Sequence, residues 1–278
     1  MNDNDKGDDG DNIVNHPFGD DFPVGTDPLD NQVAGHRFGS SPNNLALLRH
    51  RHSQDILKPI CDKRSEREFR LYSQIWDSDN DFREDIQNLR QFVPKFNGIF
   101  VDQKTGRKYI RLTDISNGMK NPSVLDIKIG AKTYDLEANE QKILSEITKY
   151  RFQSDIGFRI LGMRIYKPED NNYVIKEKDY GIRLTPHNVG EALVLYVQNN
   201  RALIREFSRQ MKVIKEWFDN YNHNKWQFIS SSLLFVYDCH QSKAVVNMID
   251  FAHVFPNDGL DDNYLFGLNK LIQYFDSL

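Results

Sequence analysis

The sequence predicts an α+β protein in which strands dominate the first third and helices and strands are mixed in the rest. Apolar segments 98–102 and 108–114 flank a turn at 104–106 and predict a β-hairpin. Apolar residues between 204 and 221 recur every three or four positions, which predicts the longest helix. Two further apolar segments, 228–237 and 244–249, predict paired central strands.

The remaining elements follow from the same two periodicities. A strand at 55–58 is expected to end at Pro59, because proline cannot donate a ladder hydrogen bond. Helix 138–150 should bury Ile143, Ile147 and Tyr150. The other predicted elements are a helix at 66–76, strands through 129, at 159–166 and at 173–176, and a helix at 265–275 with Leu268, Leu271 and Ile272 inward.

The charge distribution divides the chain. Residues 1–31 carry nine Asp and one Lys with few apolar side chains, which predicts a disordered acidic tail. Its charge is about −8 against −4 for the whole chain, so the other 247 residues carry about +4. We therefore expect an N-terminal lobe at 32–113 and a C-terminal lobe at 114–278, joined through a loop near 114–121.

Composition also limits the function classes. A mildly basic body suits a phosphorylated small molecule better than nucleic acid, which favours a strongly basic face. Two cysteines and no long apolar run predict a reducing compartment, the nucleus and cytoplasm, and no transmembrane segment. No GxxxxGK[ST] sequence is present, so a P-loop enzyme is excluded.

The segment 122–130 carries Asp126 and Lys128 two residues apart on an apolar strand. Alternation places both charges on one face and Leu125, Ile127 and Ile129 on the other. Burying two charges costs several kcal/mol per ion unless each is paired or bound to a ligand. The pattern therefore indicates either a satisfied internal ion pair or a functional site.

Two further signals are weaker alone. Asp250 ends an apolar run, where a carboxylate could hold Mg²⁺ or cap a turn. Lys58 on a strand precedes Glu68 at a helix start, as in kinases that aim an ammonium at nucleotide phosphates. A solvated lysine is the alternative for Lys58.

Together these residues resemble the inositol polyphosphate kinase family, whose signature PxxxDxKxG corresponds to Pro122, Asp126, Lys128 and Gly130. The similarity continues at 32–36, 231–234, 249–253 and 263–268 and covers the chain from about residue 32 to its end. It implies a two-lobed fold distantly similar to protein kinases and ATP-grasp proteins, with ATP between the lobes.

The resemblance also implies roles on the nucleotide side. Lys58 would contact the ATP phosphates, and Asp250 would hold Mg²⁺. Asp126 would meet the ribose or serve catalysis, and Lys128 would lie nearest the transferred phosphoryl group. The adenine-binding hinge would be formed by Thr113, Asp114 and Ile115.

On the substrate side, the resemblance points to a set of residues around the inositol ring: Arg64, Lys128, Lys142, Glu146, Lys178 and His253. Lys142 and Glu146 are four apart on one helix, so a solvated surface pair is the alternative. Relatives place an amide at the position of Glu146, whereas a carboxylate would repel a phosphate.

Within the family, segments 132–135, 156–158, 162–166 and 180–181 look more like the multikinases than the hexakisphosphate kinases or trisphosphate 3-kinases. The resemblance implies a monomer that phosphorylates soluble inositol tris- and tetrakisphosphate to the pentakisphosphate, with phosphoinositide headgroups as further acceptors. Two alternatives are a hexakisphosphate kinase that makes pyrophosphates and a non-catalytic inositol-phosphate scaffold.

Overall fold

The computed structural model describes residues 22–29, 32–33, 46–241 and 243–278. The first of its two large sheets has five antiparallel strands in the order β1-β2-β3-β5-β4. These strands are β1 Thr26–Pro28, β2 Leu48–His50, β3 Ile56–Ile60, β4 Phe96–Val101 and β5 Lys108–Leu112. Between β3 and β4 the chain forms α1 Lys63–Ile75, a 3-10 turn at Ser78–Asn80 and α2 Glu84–Arg90.

The second large sheet is also antiparallel, in the order β11-β10-β6-β7-β8. Its strands are β6 Pro122–Ile129, β7 Phe158–Lys167, β8 Asn172–Lys176, β10 Ser232–Asp238 and β11 Lys243–Ile249, while β9 Trp226–Phe228 pairs with β12 Val254–Pro256. The helices of this half are α3 Glu140–Lys149, α4 Gln153–Ile156, α5 Lys178–Arg183, α6 Val189–Val197, α7 Arg201–Tyr221 and α8 Asp262–Asp276. The α+β prediction is confirmed.

One hydrophobic core joins the two halves. The apolar stripe of α7, including Phe207, Met211, Ile214 and Phe218, is buried in it, as the three-and-four spacing predicted. The same core includes Tyr72 of α1. Helix α1 is therefore held against the second half, although it follows a strand of the first sheet.

The predicted paired strands and the hairpin are confirmed, but other expectations are wrong. Pro59 does not end its strand: it lies within β3, opposite Tyr109 of β5. On the other side, β2 pairs with β3 only at Ile56 and Leu57, so no neighbour there needs the N–H that Pro59 lacks. The predicted strand 228–237 is broken at Ser230, whose φ is +59°.

The buried face of α3 differs from the predicted one, although Tyr150, which follows the helix, is buried as predicted. Ile147 is 53% exposed, and the buried residue of the helix is Glu146. A charged side chain can be buried when it is paired. The face of α3 that carries Glu146 therefore turns toward the protein, and Ile147 remains exposed to solvent.

Within the tail predicted to be disordered, Thr26–Pro28 form a strand, and the Thr26 hydroxyl donates to the Pro23 carbonyl at 2.7 Å. Pairing with β2 orders this piece, so the disorder prediction is wrong there. Residues 1–21 lie outside the described residues, and so does most of the 32–36 motif. The lobe boundary between 113 and 114 stays a prediction.

Candidate active site

A cleft lies between the two large sheets and contains roughly 800 Å³ of space, part of it open to solvent. The segment 113–116 that follows β5 forms part of its wall. Its walls are mainly apolar, with a few charged groups, as in many ligand sites. From the two sheets the lining residues are Ile56, Lys58, Leu112, Val124, Asp126, Leu234, Val236 and Ile249, with Asp250 just beyond β11.

Lys58 connects the two halves of the molecule at this cleft. Its Nζ lies 2.8 Å from Glu68 Oε1 and 2.6 Å from Asp250 Oδ1, a residue 192 positions away. Glu68 Oε1 also accepts a hydrogen bond from the Phe251 amide at 3.1 Å. Burial by itself would lower the pKa of Lys58, but Asp250 and Glu68 raise it overall. The ammonium is therefore charged and held in place.

The backbone at Asp250 turns sharply as β11 ends. Its φ is +65°, in the left-handed region that non-glycine residues seldom occupy. Such conformations persist only where the surroundings enforce them, and they concentrate at functional sites. Although burial by itself would raise the pKa of Asp250, the ammonium of Lys58 lowers it, so the carboxylate is ionised.

Asp126 projects into the same cleft from β6 and is 5% exposed. Burial and the nearby Asp250 raise its pKa to about 7. Its Oδ1 atom is buried and has no hydrogen-bond partner in the part of the chain that the structure describes. An unsatisfied buried carboxylate oxygen beside the ionised, partly exposed Asp250 fits the hard oxygen ligands that Mg²⁺ prefers. These two carboxylates are thus the residues that would hold a divalent ion.

Lys128 follows Asp126 on the same face of β6, as alternation predicted. Its Nζ donates to the Ser230 carbonyl at 2.8 Å and to the Ser230 hydroxyl at 2.5 Å. Burial lowers the pKa of Lys128, whereas the negative charges of Asp250 and Asp126 raise it. The three charged groups are therefore close enough to interact electrostatically. The break in the strand at Ser230 therefore turns the Ser230 carbonyl toward the Lys128 ammonium, which it binds.

Thr113, Asp114 and Ile115 all line the cleft where the chain leaves the first sheet. The Asp114 side chain accepts from Arg49 Nη2 at 2.9 Å and from the Ser116 amide at 2.8 Å. Its carboxylate thus fixes the connecting segment, and the backbone of this segment borders the cleft.

The predicted substrate residues on α3, Lys142 and Glu146, form a cluster in which the carboxylate is buried and the ammonium of Lys142 is exposed. Glu146 Oε1 accepts from Nζ of both Lys142 and Lys149 at 2.5 Å, and Oε2 accepts from the Thr133 hydroxyl at 3.2 Å. Burial by itself would raise the pKa of Glu146, but the hydrogen bonds from Lys142 and Lys149 lower it to about 2. With Glu146 only 6% exposed, the alternative of a solvated surface pair does not hold.

His253 joins the site through Asp135, whose carboxylate contacts its Nδ1. The other two predicted substrate residues are less integrated. Arg64, in the first turn of α1, is exposed and pairs with Asp62 at 3.1 Å. Lys178 is exposed at the start of α5 and makes no ion pair with another described residue.

Helix α8 holds the segment that links β6 to this cluster. The Asn263 side chain accepts from the Lys132 amide at 2.8 Å and donates to the Lys132 carbonyl at 3.0 Å. A Cβ at Gly267 would lie 2.1 Å from the Gly157 carbonyl oxygen and 2.6 Å from the Gly130 amide nitrogen. The close approach of α8 to these residues therefore depends on glycine at this position.

Sequence reasoning missed two cations beside Glu146. Lys149 follows it by one helical turn, a spacing that could have identified it. Arg159 lies opposite Lys128 in the β6–β7 ladder, within an apolar strand, and is 4% exposed. A charge in an apolar strand is the signal that identified Asp126 and Lys128, and it applied equally to Arg159.

Two antiparallel sheets that enclose an acid–base cleft, with a cationic cluster beside it, form an arrangement suited to an anionic ligand. A sequence model described as "IPK: Inositol polyphosphate kinase" matches residues 109–276, more than half of the chain. The chain therefore belongs to the inositol polyphosphate kinase family, as the motifs predicted.

Several relatives carry specific names. The human inositol polyphosphate multikinase is 30% identical over 222 residues, which are 78% of this chain and 52% of that protein. The chain thus spans about half the length of that relative. The multikinase beta of Arabidopsis thaliana is 25% identical over 285 residues, 90% of this chain and 92% of that protein. Human inositol hexakisphosphate kinase 3 is 24% identical over 62% of this chain and 51% of its own length.

A solved structure shows the same fold. The S. cerevisiae inositol phosphate multikinase Ipk2, crystallised with ADP and Mn²⁺, has a TM-score of 0.65 at 24% identity, covering 80% of this chain and 98% of that one. Within the described part of this chain, no helix combines the length and apolar character needed to cross a membrane.

Proposed function

We propose that this chain is an ATP-dependent inositol polyphosphate kinase of the multikinase type, which phosphorylates inositol tris- and tetrakisphosphate to the pentakisphosphate. The convergence of Lys58, Asp126, Lys128 and Asp250 at one cleft carries the proposal. Phosphoryl transfer requires positioning and charge neutralisation more than covalent chemistry, and this group of charges supplies both.

The nucleotide would lie between the sheets. The apolar side chains of Ile56, Leu112 and Val124 offer surfaces for a planar base, beside the connecting segment 113–115. Lys58, held by Glu68, would face the phosphates. Asp126 and Asp250 would hold Mg²⁺, which would neutralise phosphate charge, and Asp126 would then be ionised.

The acceptor would lie toward α3. Lys128 follows Asp126 on β6, and the charges of Asp250, Asp126 and Glu146 all act on its ammonium. Its ammonium would stabilise charge that develops on the transferred phosphoryl group. Lys142 and His253 would contact substrate phosphates, with Asp135 orienting the imidazole. Arg64 and Lys178, both exposed, would reach the substrate from the cleft rim.

The test is to incubate the purified protein with ATP, Mg²⁺ and inositol phosphates from tris- to hexakis-, and to resolve products by anion-exchange chromatography. Pentakisphosphate formed from the tris- and tetrakisphosphates supports the proposal. Pyrophosphate products from the hexakisphosphate would support the hexakisphosphate kinase alternative, and binding without turnover would support a scaffold. A phosphoinositide added to the panel tests lipid headgroups as acceptors.

Asp250→Asn should reduce turnover by at least about 100-fold, because it removes a carboxylate that would hold the divalent ion. Asp219→Asn, which removes a charge from the exposed Lys215–Asp219 pair on α7, is the matched control and should retain wild-type turnover. Wild-type turnover in Asp250→Asn would reject the assignment.

We also propose that the protein is a monomer in the nucleus and cytoplasm. Sedimentation would test the oligomeric state, and fluorescence imaging would test the localisation.

A further inference from the structure

Glu146 occupies a position where several hydrogen-bond donors converge. Lys142 and Lys149 each contribute an ammonium to its Oε1, and Thr133 contributes a hydroxyl to its Oε2. Its charge also acts on the guanidinium of Arg159. Three cations and a hydroxyl around one anion form a donor set typical of phosphate recognition.

Arg159 shows that this donor set is larger than a carboxylate needs. It faces Lys128 directly across the β6–β7 ladder, so both side chains stand on the same face of the sheet. Arg159 is 4% exposed, yet its Nε and Nη1 atoms have no hydrogen-bond partner among the described residues. Buried guanidinium groups are normally paired, so two unpaired nitrogens are unusual. They could donate to an anion larger than a carboxylate at the position of Glu146.

A carboxylate and a phosphate monoester differ in ways that match this geometry. A carboxylate carries one negative charge and two acceptor oxygens, whereas a phosphate monoester carries up to two charges and three outer oxygens. Both Glu146 oxygens already accept hydrogen bonds, whereas two nitrogens of Arg159 have no partner within the described part of the chain. The cluster therefore resembles a phosphate subsite that the chain fills with its own smaller anion.

We infer that Glu146 is a specificity-determining residue whose carboxylate takes the place of one substrate phosphate, so that the site favours inositol phosphates carrying fewer phosphates. This inference rests on the proposed function, because it concerns the acceptor side of that same cleft. Glu146 excludes a further phosphate both by occupying its donors and by repelling its charge.

A purely structural role for Glu146 makes a different prediction. If the carboxylate only tethers Lys142 and Lys149, its loss would change the affinity for every inositol phosphate by a similar factor. If it replaces a phosphate, its loss would change the affinities selectively. The ratio of two dissociation constants separates these cases.

The experiment is calorimetric titration of the full chain with inositol trisphosphate and with inositol hexakisphosphate, in the presence of Mg²⁺ and a non-hydrolysable ATP analogue. The wild type should bind the trisphosphate more tightly than the hexakisphosphate. Glu146→Gln, which keeps the shape and removes the charge, should lower the hexakisphosphate-to-trisphosphate Kd ratio about tenfold, as expected when charge-assisted hydrogen bonds become available. Glu146→Asp retains the charge and should stay close to the wild-type ratio.

Asp219→Asn is again the matched control, because it removes one charge from an exposed helical pair away from the cleft. An unchanged ratio in Glu146→Gln, or an equal change in Asp219→Asn, would overturn the inference. If Glu146→Gln does not fold, the wild type alone decides, since equal or tighter binding of the hexakisphosphate also overturns it. Binding measures this inference and turnover measures the proposed function, so a failure of the inference is distinguishable from a failure of the proposed function.

Discussion

Replacement of Lys58 by methionine should destabilise the protein, because it leaves two carboxylates facing each other. Lys58 is the ion-pair partner of both Glu68 and Asp250, whose side chains are 1% and 42% exposed. Loss of one partner from a buried ion pair costs about 3–5 kcal/mol. Because Asp250 is partly solvated, we expect a loss of about 2–4 kcal/mol from the free energy of unfolding.

The assay is urea denaturation of the nucleotide-free protein at pH 7, followed by circular dichroism. Glu68→Gln in the Lys58→Met background should recover part of the loss, since it removes the more deeply buried of the two unpaired charges. Lys215→Met, at the exposed pair on α7, should change stability by less than about 1 kcal/mol. If Lys58→Met is as stable as the wild type, or if Glu68→Gln lowers its stability further, the reasoning is refuted.

Two further predictions concern pH and packing. The pKa of Asp126 in the folded protein is about 7, above its usual 3.8, so the folded state binds this proton more tightly than the unfolded state does. The contribution of Asp126 to the free energy of unfolding therefore falls as the pH rises from about 4 to 7. Asp126→Asn, tested by thermal unfolding without nucleotide or Mg²⁺, should therefore gain stability relative to wild type between pH 5 and 8, on the order of a few kcal/mol; no gain would contradict the raised pKa. Gly267→Ala should lower the free energy of unfolding, measured by urea denaturation, by about 1–3 kcal/mol, because its Cβ would collide with the Gly157 carbonyl. The control is Gly190→Ala, whose Cβ would have its nearest neighbour at 4.0 Å and which should be neutral or slightly stabilising. Equal effects of the two substitutions would contradict the packing argument.

Local patterns predicted the elements whose side chains follow one simple period. The stripe of α7 and the shared face of Asp126 and Lys128 are both fixed by backbone geometry over a few residues, so the sequence was sufficient for them. The errors occurred where a distant neighbour overrode the local rule. Pro59 is accommodated because β2 is short, and α3 buries Glu146 instead of Ile147 because cations and a hydroxyl meet that carboxylate.

Recognition of the family depended on short motifs. These motifs lie far apart in the sequence, and the segments that carry them contact each other in the folded structure. Asn263 and Gly267 had no chemical explanation in the sequence. In the structure, Asn263 binds the backbone of Lys132 and Gly267 allows α8 to approach Gly130. These residues therefore hold in place the segments that carry the site residues.

By itself, the sequence determined the class of the protein, the main elements and the identity of Lys58, Asp126, Lys128 and Asp250 as a chemically unusual set, because residue type and spacing carry that information. Only the tertiary structure decided that Lys58, already paired with Glu68, also meets Asp250, which lies 192 positions further along the chain. It also decided that Arg159 is buried with two nitrogens that have no partner among the described residues. The physical reason is that electrostatic pairing and burial depend on distances in space, which are set by how the two sheets pack and not by order along the chain.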